Sequence, residues 1–329
     1  MTRRQLLGRL MATGAMAALV ACTREAPQVA GAPEAVPTPR PADRRPSEGG
    51  IGGTGIVGVL TGLGSLLING LRVETAAGVV VEGPDGALPL SAIAPGHSLT
   101  VEAGGPAGDL SARRVLLTPP LMGPLTAGAG GLSVNGVPVV LPAGVGGQSA
   151  NGGHVMVSGL WDGTRVVASR LDPAPAGAAL IAGTAGRTTG GRLTVGGREI
   201  GLLDPSRPLP IAGTYVTVRG ADTGSLFLAS ALAQGRFSPG FDDLVALSVE
   251  GYLEPQRAAP GFAISGLGHS LDGAAQVAPL AGQRALIEGP YDGLFTATRA
   301  LVLPEDPTGR RALLDERLAG AATADIPLR

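Results

Sequence analysis

The amino-acid sequence predicts an all-β protein: four tandem small antiparallel β-barrel repeats of OB-like form, followed by a short C-terminal helix. Three observations carry that expectation. The 329 residues include 54 glycines and 28 prolines, the density of turn-formers that many short strands require. Hydrophobic residues make up 44% of the chain, enough to build packed cores. Three strand-like landmarks also recur in the same order four times, and such self-similarity marks a repeat architecture.

The N-terminus reads as an address. Residues 1–21 carry Arg3, Arg4 and Arg9 ahead of or beside an apolar run from Leu10 to Ala21, which is too short to cross a hydrocarbon core of ~30 Å as a helix. This is the pattern of an export signal peptide. It ends Leu19-Val20-Ala21-Cys22, which resembles the lipobox of bacterial lipoproteins, so Cys22 is the expected lipidation site and a membrane the expected partner through that lipid. Multiple acyl chains give stable attachment where one would be marginal. Thr2-Arg3-Arg4-Gln5-Leu6-Leu7 resembles a twin-arginine signal, with Arg3 and Arg4 as its defining pair, which implies export in the folded state. The expected location is the cell envelope, on a membrane face toward the periplasm or exterior.

Residues 22–49 hold the anchor cysteine and a tether rich in Pro, Ala, Arg and Glu, with almost no large apolar side chain. Such a segment buries too little surface to offset its ordering entropy, and its prolines keep it extended.

The repeats follow, over residues 50–120, 121–175, 176–235 and 236–309. Each contains a β-run, a two-residue turn and a second β-run: SLLINGLRVET around Asn69-Gly70, LSVNGVPVVLP around Asn135-Gly136, LTVGGREIGLL around Gly196-Gly197, and FAISGLGHSL around Ser265-Gly266. Asn-Gly and Gly-Gly supply the positive φ of tight hairpins. A second landmark is an alternating run entered through a glycine, at His97, His154, Thr214 and Gln283. The third is a strand aligned on Ala112, Ala168, Ala229 and Ala297. Five or six short strands per unit of about 60 residues suit a small closed barrel, since closure removes sheet edges. Residues 310–329 hold the one helical pattern, Arg310 to Leu318, after a turn from Pro304 to Pro307.

The run Gly50-Ile51-Gly52-Gly53-Thr54-Gly55, with Gly62-Leu63-Gly64-Ser65-Leu66-Leu67-Ile68-Asn69-Gly70 after it, resembles bacterial domain-of-unknown-function family 5666. The resemblance is strongest over residues 50–175. It implies tandem small β-barrel domains in exported proteins, often behind lipoprotein signals, and it implies no activity.

Charge and motif chemistry exclude more than they assign. All 25 basic residues are arginines, so Schiff-base catalysis and a P-loop lysine are both excluded. With three arginines in the signal, 22 remain against 26 acids, and a net charge of about −4 gives no reason to expect nucleic acid as a partner. Gly50, Gly52 and Gly55 satisfy a dinucleotide-type spacing but lack the strand before and the helix after that its mechanics need. His97, His154 and His269 show no metal-ligand spacing, and no nucleophile elbow surrounds any serine, Ser149 included. No catalytic residue, metal site or cofactor is expected.

Binding is the function class that remains. Trp161 and Tyr291 fall at equivalent hairpins, where aromatic rings can stack on sugars, and Arg114, Arg170 and Arg299 align two residues after the third landmark. These five are the candidate ligand-binding residues, with envelope glycan or cell-wall polymer the leading ligand class and another envelope protein the alternative. A polysaccharide hydrolase drawing on Asp242, Asp243, Glu250, Glu254, Glu305 and Asp306 is the competing enzymatic reading.

Overall fold

The structure, a computed structural model, describes residues 53–106, 108–147, 153–237, 244–255, 262–272, 280–320 and 326–327. Arg3, Arg4, Cys22, the tether, Ser149, Asp242 and Asp243 lie outside the described residues. Within them, every recurrent landmark of the sequence becomes a strand.

The first unit contains β1 (Gly53–Gly62), β2 (Leu66–Ile68), β3 (Leu71–Glu74), β4 (Val80–Gly83), β5 (Gly86–Pro89), β6 (Ser98–Gly104) and β7 (Leu110–Leu117). Strand β1 pairs with β2, β2 with β3, β3 with β7, β7 with β6, and β6 returns to β1, which closes a five-stranded barrel. The β4–β5 hairpin rides on β7. The second unit repeats the circuit with β8 (Leu121–Gly128), β9 (Gly131–Val134), β10 (Val137–Val140), β12 (His154–Asp162) and β13 (Arg165–Pro173), while β11 (Gly146–Gly147) pairs with β13.

The third does so with β14 (Leu180–Arg187), β15 (Leu193–Val195), β16 (Arg198–Leu202), β17 (Tyr215–Asp222) and β18 (Phe227–Gln234). The fourth uses β19 (Leu244–Pro255), β20 (Phe262–Ile264), β21 (His269–Asp272) and β22 (Arg284–Pro290). Its last strand is split into β23 (Phe295–Thr296), paired with β21, and β24 (Arg299–Val302), paired with β22. Helix α1 (Pro307–Leu318) and β25 (Ile326–Pro327), which pairs with β24, complete the chain.

The shared order 1-2-3-5-4-1 is OB-like, and it corrects one expectation. The barrels are not wholly antiparallel: the third and fifth strands of each run parallel. Hairpin patterns report only neighbouring strands, whereas this pairing closes each barrel across most of a unit. The helix also begins earlier than expected, at Pro307. Asp306 caps it, accepting a hydrogen bond from Gly309 N at 2.6 Å, and the ring of Pro307 suits a first-turn position that has no need of an N–H.

The barrels are fused by ladders between their first strands. Strand β1 pairs parallel with β19, joining the first barrel to the fourth, and β14 pairs antiparallel with β8, joining the second to the third. The Asn-Gly turns lock these seams. Asn69 and Asn135 adopt φ of 57° and 52°, which asparagine tolerates better than other side-chain-bearing residues, and both are buried. Asn69 Nδ2 donates to Val57 O at 3.1 Å and Ser248 O at 3.0 Å, one on each side of the β1–β19 seam. Asn135 Nδ2 donates to Met122 O at 2.8 Å and Leu180 O at 3.1 Å across the β8–β14 seam. A Cβ at Gly58 or Gly123 would collide with the Asn Oδ1, so the close approach requires glycine in the first strand.

The seam geometry makes asparagine at the turn a structural requirement. Asn135→Ala removes two buried hydrogen bonds and strains the turn, and is expected to lower unfolding free energy by about 2–4 kcal/mol. Asn135→Gly keeps the backbone geometry and should recover about 1 kcal/mol of that loss. Urea unfolding checks both; an Asn135→Ala protein within about 0.5 kcal/mol of the parent would show that the seam does not depend on this side chain.

Candidate functional site

The five ligand-binding candidates separate once their surroundings are seen. Trp161 is a correction: it is 2% exposed and offers no face to a solute. Its Nε1 donates to Ala182 O at 2.8 Å, and its ring fills the space against Gly196 of the third barrel and Gly266 of the fourth, where any side chain would collide with it. Beside it, Gly163 N donates to Ser265 Oγ at 3.0 Å. Trp161 therefore joins three barrels, and its ring belongs to a core shared by the second and third. A turn-flanking aromatic in sequence is equally compatible with display or with burial, and only the glycines opposite decide between them.

The arginines do not form an uncompensated row. Arg114 forks Glu82 in its own barrel, with Nη2 2.6 Å from Oε2. Arg170 holds Asp172, with Nη2 2.6 Å from Oδ1, and Arg299 reaches Glu288 at 3.1 Å. Asp172 also contacts His97 Nε2 at 2.9 Å, across the junction of the first two barrels, and Ala94 N donates to His97 Nδ1 at 3.1 Å. His97 is thus a buried interface residue, whereas His154 accepts from Gly177 N at 3.1 Å; the equivalent positions take different partners. Burial raises the Asp172 pKa, but hydrogen bonds from His97 and Arg170 outweigh it and hold the carboxyl below its ordinary value.

Carboxylates of the fourth unit are likewise committed to structure. Glu250, 1% exposed, contacts Arg284 Nε at 2.8 Å and Nη2 at 2.6 Å, and accepts from Val59 N of the first barrel at 2.9 Å. Glu305 accepts from Tyr252 Oη at 2.6 Å, and Asp306 is the helix cap. Arg310 approaches the Glu250 carboxylate and donates to the backbone carbonyl of Glu305, not to its carboxylate, and both Glu250 oxygens are taken. Glu254 is only partly covered, at the end of β19.

Tyr291 borders an open cleft, whereas Trp161 borders only a small enclosed void. An open cleft of about 410 Å³ lies between the third and fourth barrels, walled by Tyr215, Arg236, Phe237, Tyr291, Leu294 and Phe295. Gly213, Gly235, Gly268, Gly293 and Thr214 complete much of the remaining wall, and among the described residues no His, Asp, Glu, Ser or Cys lines it. Leu294 is 70% exposed. Ile211, next to the lining residue Ala212, is 79% exposed. The groups presented to a solute are aromatic, aliphatic and cationic, which equips the cleft for recognition.

Arg236 is the residue that sequence reading missed. It follows Gly235 at the boundary of the third and fourth units, where no repeat landmark falls; the adjacent Arg236-Phe237 pair was the available signal. The residue is 9% exposed, its guanidinium lies 4.0 Å from the centre of the Tyr215 ring, and Nη1 donates to Thr100 Oγ1 at 3.0 Å. Nε is buried without a partner, and no carboxylate pairs with the group among the described residues. Burial lowers its pKa, with Tyr215 pulling the other way. A buried charge left without its partner costs about 3–5 kcal/mol, so this is an expensive place to keep a guanidinium.

No family model, curated protein or solved structure matches this chain. Function is argued from the site alone.

Glu102 supplies a pH test of the electrostatics around Arg114. Burial pushes its pKa up to about 7, although Arg114 and Arg113 pull it down. An acid raised in the folded state contributes stability that is complete below its ordinary value of 4.5 and is lost as pH rises through about 7. Glu102→Gln should therefore melt above the parent at pH 8, with the difference closing by pH 4. Thermal midpoints across that range check it, and a pH-independent difference would contradict it.

Proposed function

We propose that this chain is a lipid-anchored cell-envelope protein, exported by the twin-arginine route, whose fused barrels form a non-enzymatic binding or scaffolding element for glycan or cell-wall polymer. The cleft between the third and fourth barrels carries this reading. It is concave, its walls offer a partly exposed aromatic ring and bare glycine backbone, and among the described residues no carboxylate lines it. The anchor and export parts rest on Cys22, Arg3, Arg4 and the Pro-rich tether, and membership of the family with the barrel motifs rests on residues 50–175. No helix among the described residues is long and apolar enough to cross a membrane.

A specific observation favours a second reading, an envelope protein–protein adaptor: Leu294 and Ile211 expose aliphatic side chains at and beside the cleft, as partner-binding surfaces do. Two measurements test the proposal. Cys22→Ser should move the protein from the membrane fraction to the soluble fraction; retention on the membrane would contradict the lipid anchor. Thermal shift of the intact protein in nonionic detergent against envelope polysaccharides should give a positive shift that Tyr291→Ala abolishes. No shift with any glycan, together with a specific crosslinked protein lost in Leu294→Asp, would replace the glycan reading with the adaptor.

A further inference from the structure

We infer that the cleft between the third and fourth barrels selects acidic polysaccharide, with Arg236 receiving a sugar carboxylate while Tyr291 and Leu294 hold the ring that carries it. This rests on the glycan reading above and names its ligand class. Three observations combine. Arg236 lines the cleft, yet is nine-tenths buried. The protein uses only part of the guanidinium: Tyr215 covers one face, and Nη1 is engaged by Thr100 and Thr118 at 3.0 and 3.4 Å. Nε has no partner, and neither it nor Nη2 meets a carboxylate among the described residues.

Nε is enclosed, so Nη2 is the donor left for a ligand, and a guanidinium N–H makes a charge-assisted hydrogen bond to a carboxylate oxygen. Burial makes that bond more discriminating, because a ligand without the carboxylate leaves the charge unpaired. A single cation also favours a monoanion over a phosphate. The chain contains no lysine, and among the described residues Arg236 is the only basic side chain in the cleft wall and no helix N-terminus lines it. The glycines along the wall leave a flat approach for a pyranose ring, and the half-buried Tyr291 supplies an aromatic surface.

The test uses the intact protein in nonionic detergent with oligogalacturonate and its methyl ester, which share a sugar backbone and differ in the free carboxylate. Calorimetric titration should show the acid binding at least about tenfold more tightly than the ester. Arg236→Gln should bring the acid down to the level of the ester. Because Arg236 is buried, Leu294→Glu serves as an exposed second variant: the new carboxylate should weaken the acid and leave the ester unchanged. Equal binding of acid and ester would overturn the role of Arg236 while sustaining a glycan site. Binding of neither would overturn both readings. Inorganic phosphate or glucuronate competing as strongly as the oligomer would overturn it in favour of a small-anion site.

Discussion

The close approach of hairpin turns to the strands and rings of other barrels is the constraint on which the rest of the structure depends. Each barrel has a tight turn between its second and third strands, and one residue of each turn packs against a strand or ring of another barrel. Asn69 and Asn135 fold back over the first-strand glycines Gly58 and Gly123 and bridge two barrels with one amide each. Gly196 and Gly266, at the equivalent turns of the third and fourth units, lie directly against Trp161. Asparagine is needed where an amide must reach a neighbouring strand at positive φ, and glycine where a ring fills the side-chain space. The same hairpin turn thus solves two packing problems, through its first residue at Asn69, Asn135 and Gly196 and through its second at Gly266.

That constraint explains why polar groups are buried where they are. Joining β1 to β19 buries Glu250, whose charge is answered by Arg284 and whose second oxygen takes the Val59 N–H, so the seam is both ionic and hydrogen-bonded. Joining the first barrel to the second buries His97 against Asp172. These pairs are complete, as buried charges must be to avoid a desolvation cost. Arg236 is the exception, with hydroxyls and a ring but no counter-charge among the described residues, and it is the exception that lines a cleft. A protein that elsewhere balances its interior charges closely leaves one unbalanced, among the described residues, at the wall of a cleft.

Much of the fold was legible because it is local. Asn-Gly and Gly-Gly between alternating runs specify hairpins, and the terminal helix is signalled by the run Arg310 to Leu318, although its start at Pro307 and its Asp306 cap are not. The parallel closure of third strand on fifth was not legible, since it joins segments separated by most of a unit and leaves no periodic trace. The site was read less well for the same reason. Trp161 and Tyr291 look alike in sequence, Trp-Asp-Gly and Tyr-Asp-Gly, yet the first is enclosed by glycines from two other barrels and the second borders the cleft. Arg114, Arg170 and Arg299 align because their strands repeat, but each meets a carboxylate from a different place: Glu82 on β4, Asp172 on the same strand and Glu288 on β22. Arg236 lies between repeats, where alignment has nothing to say.

The central claim is that the four barrels form one cooperative unit because their turns interlock, and Trp161, the single tryptophan, stands at the junction of three of them. Equilibrium urea unfolding followed by its fluorescence and by far-UV circular dichroism tests this directly. The account predicts one transition with the same midpoint by both probes, the fluorescence moving from a buried to a solvated indole as the strands are lost. A fluorescence transition at lower urea than the loss of β-structure, or stepwise loss of β-signal, would mean that the barrels fold independently and that the turns only touch.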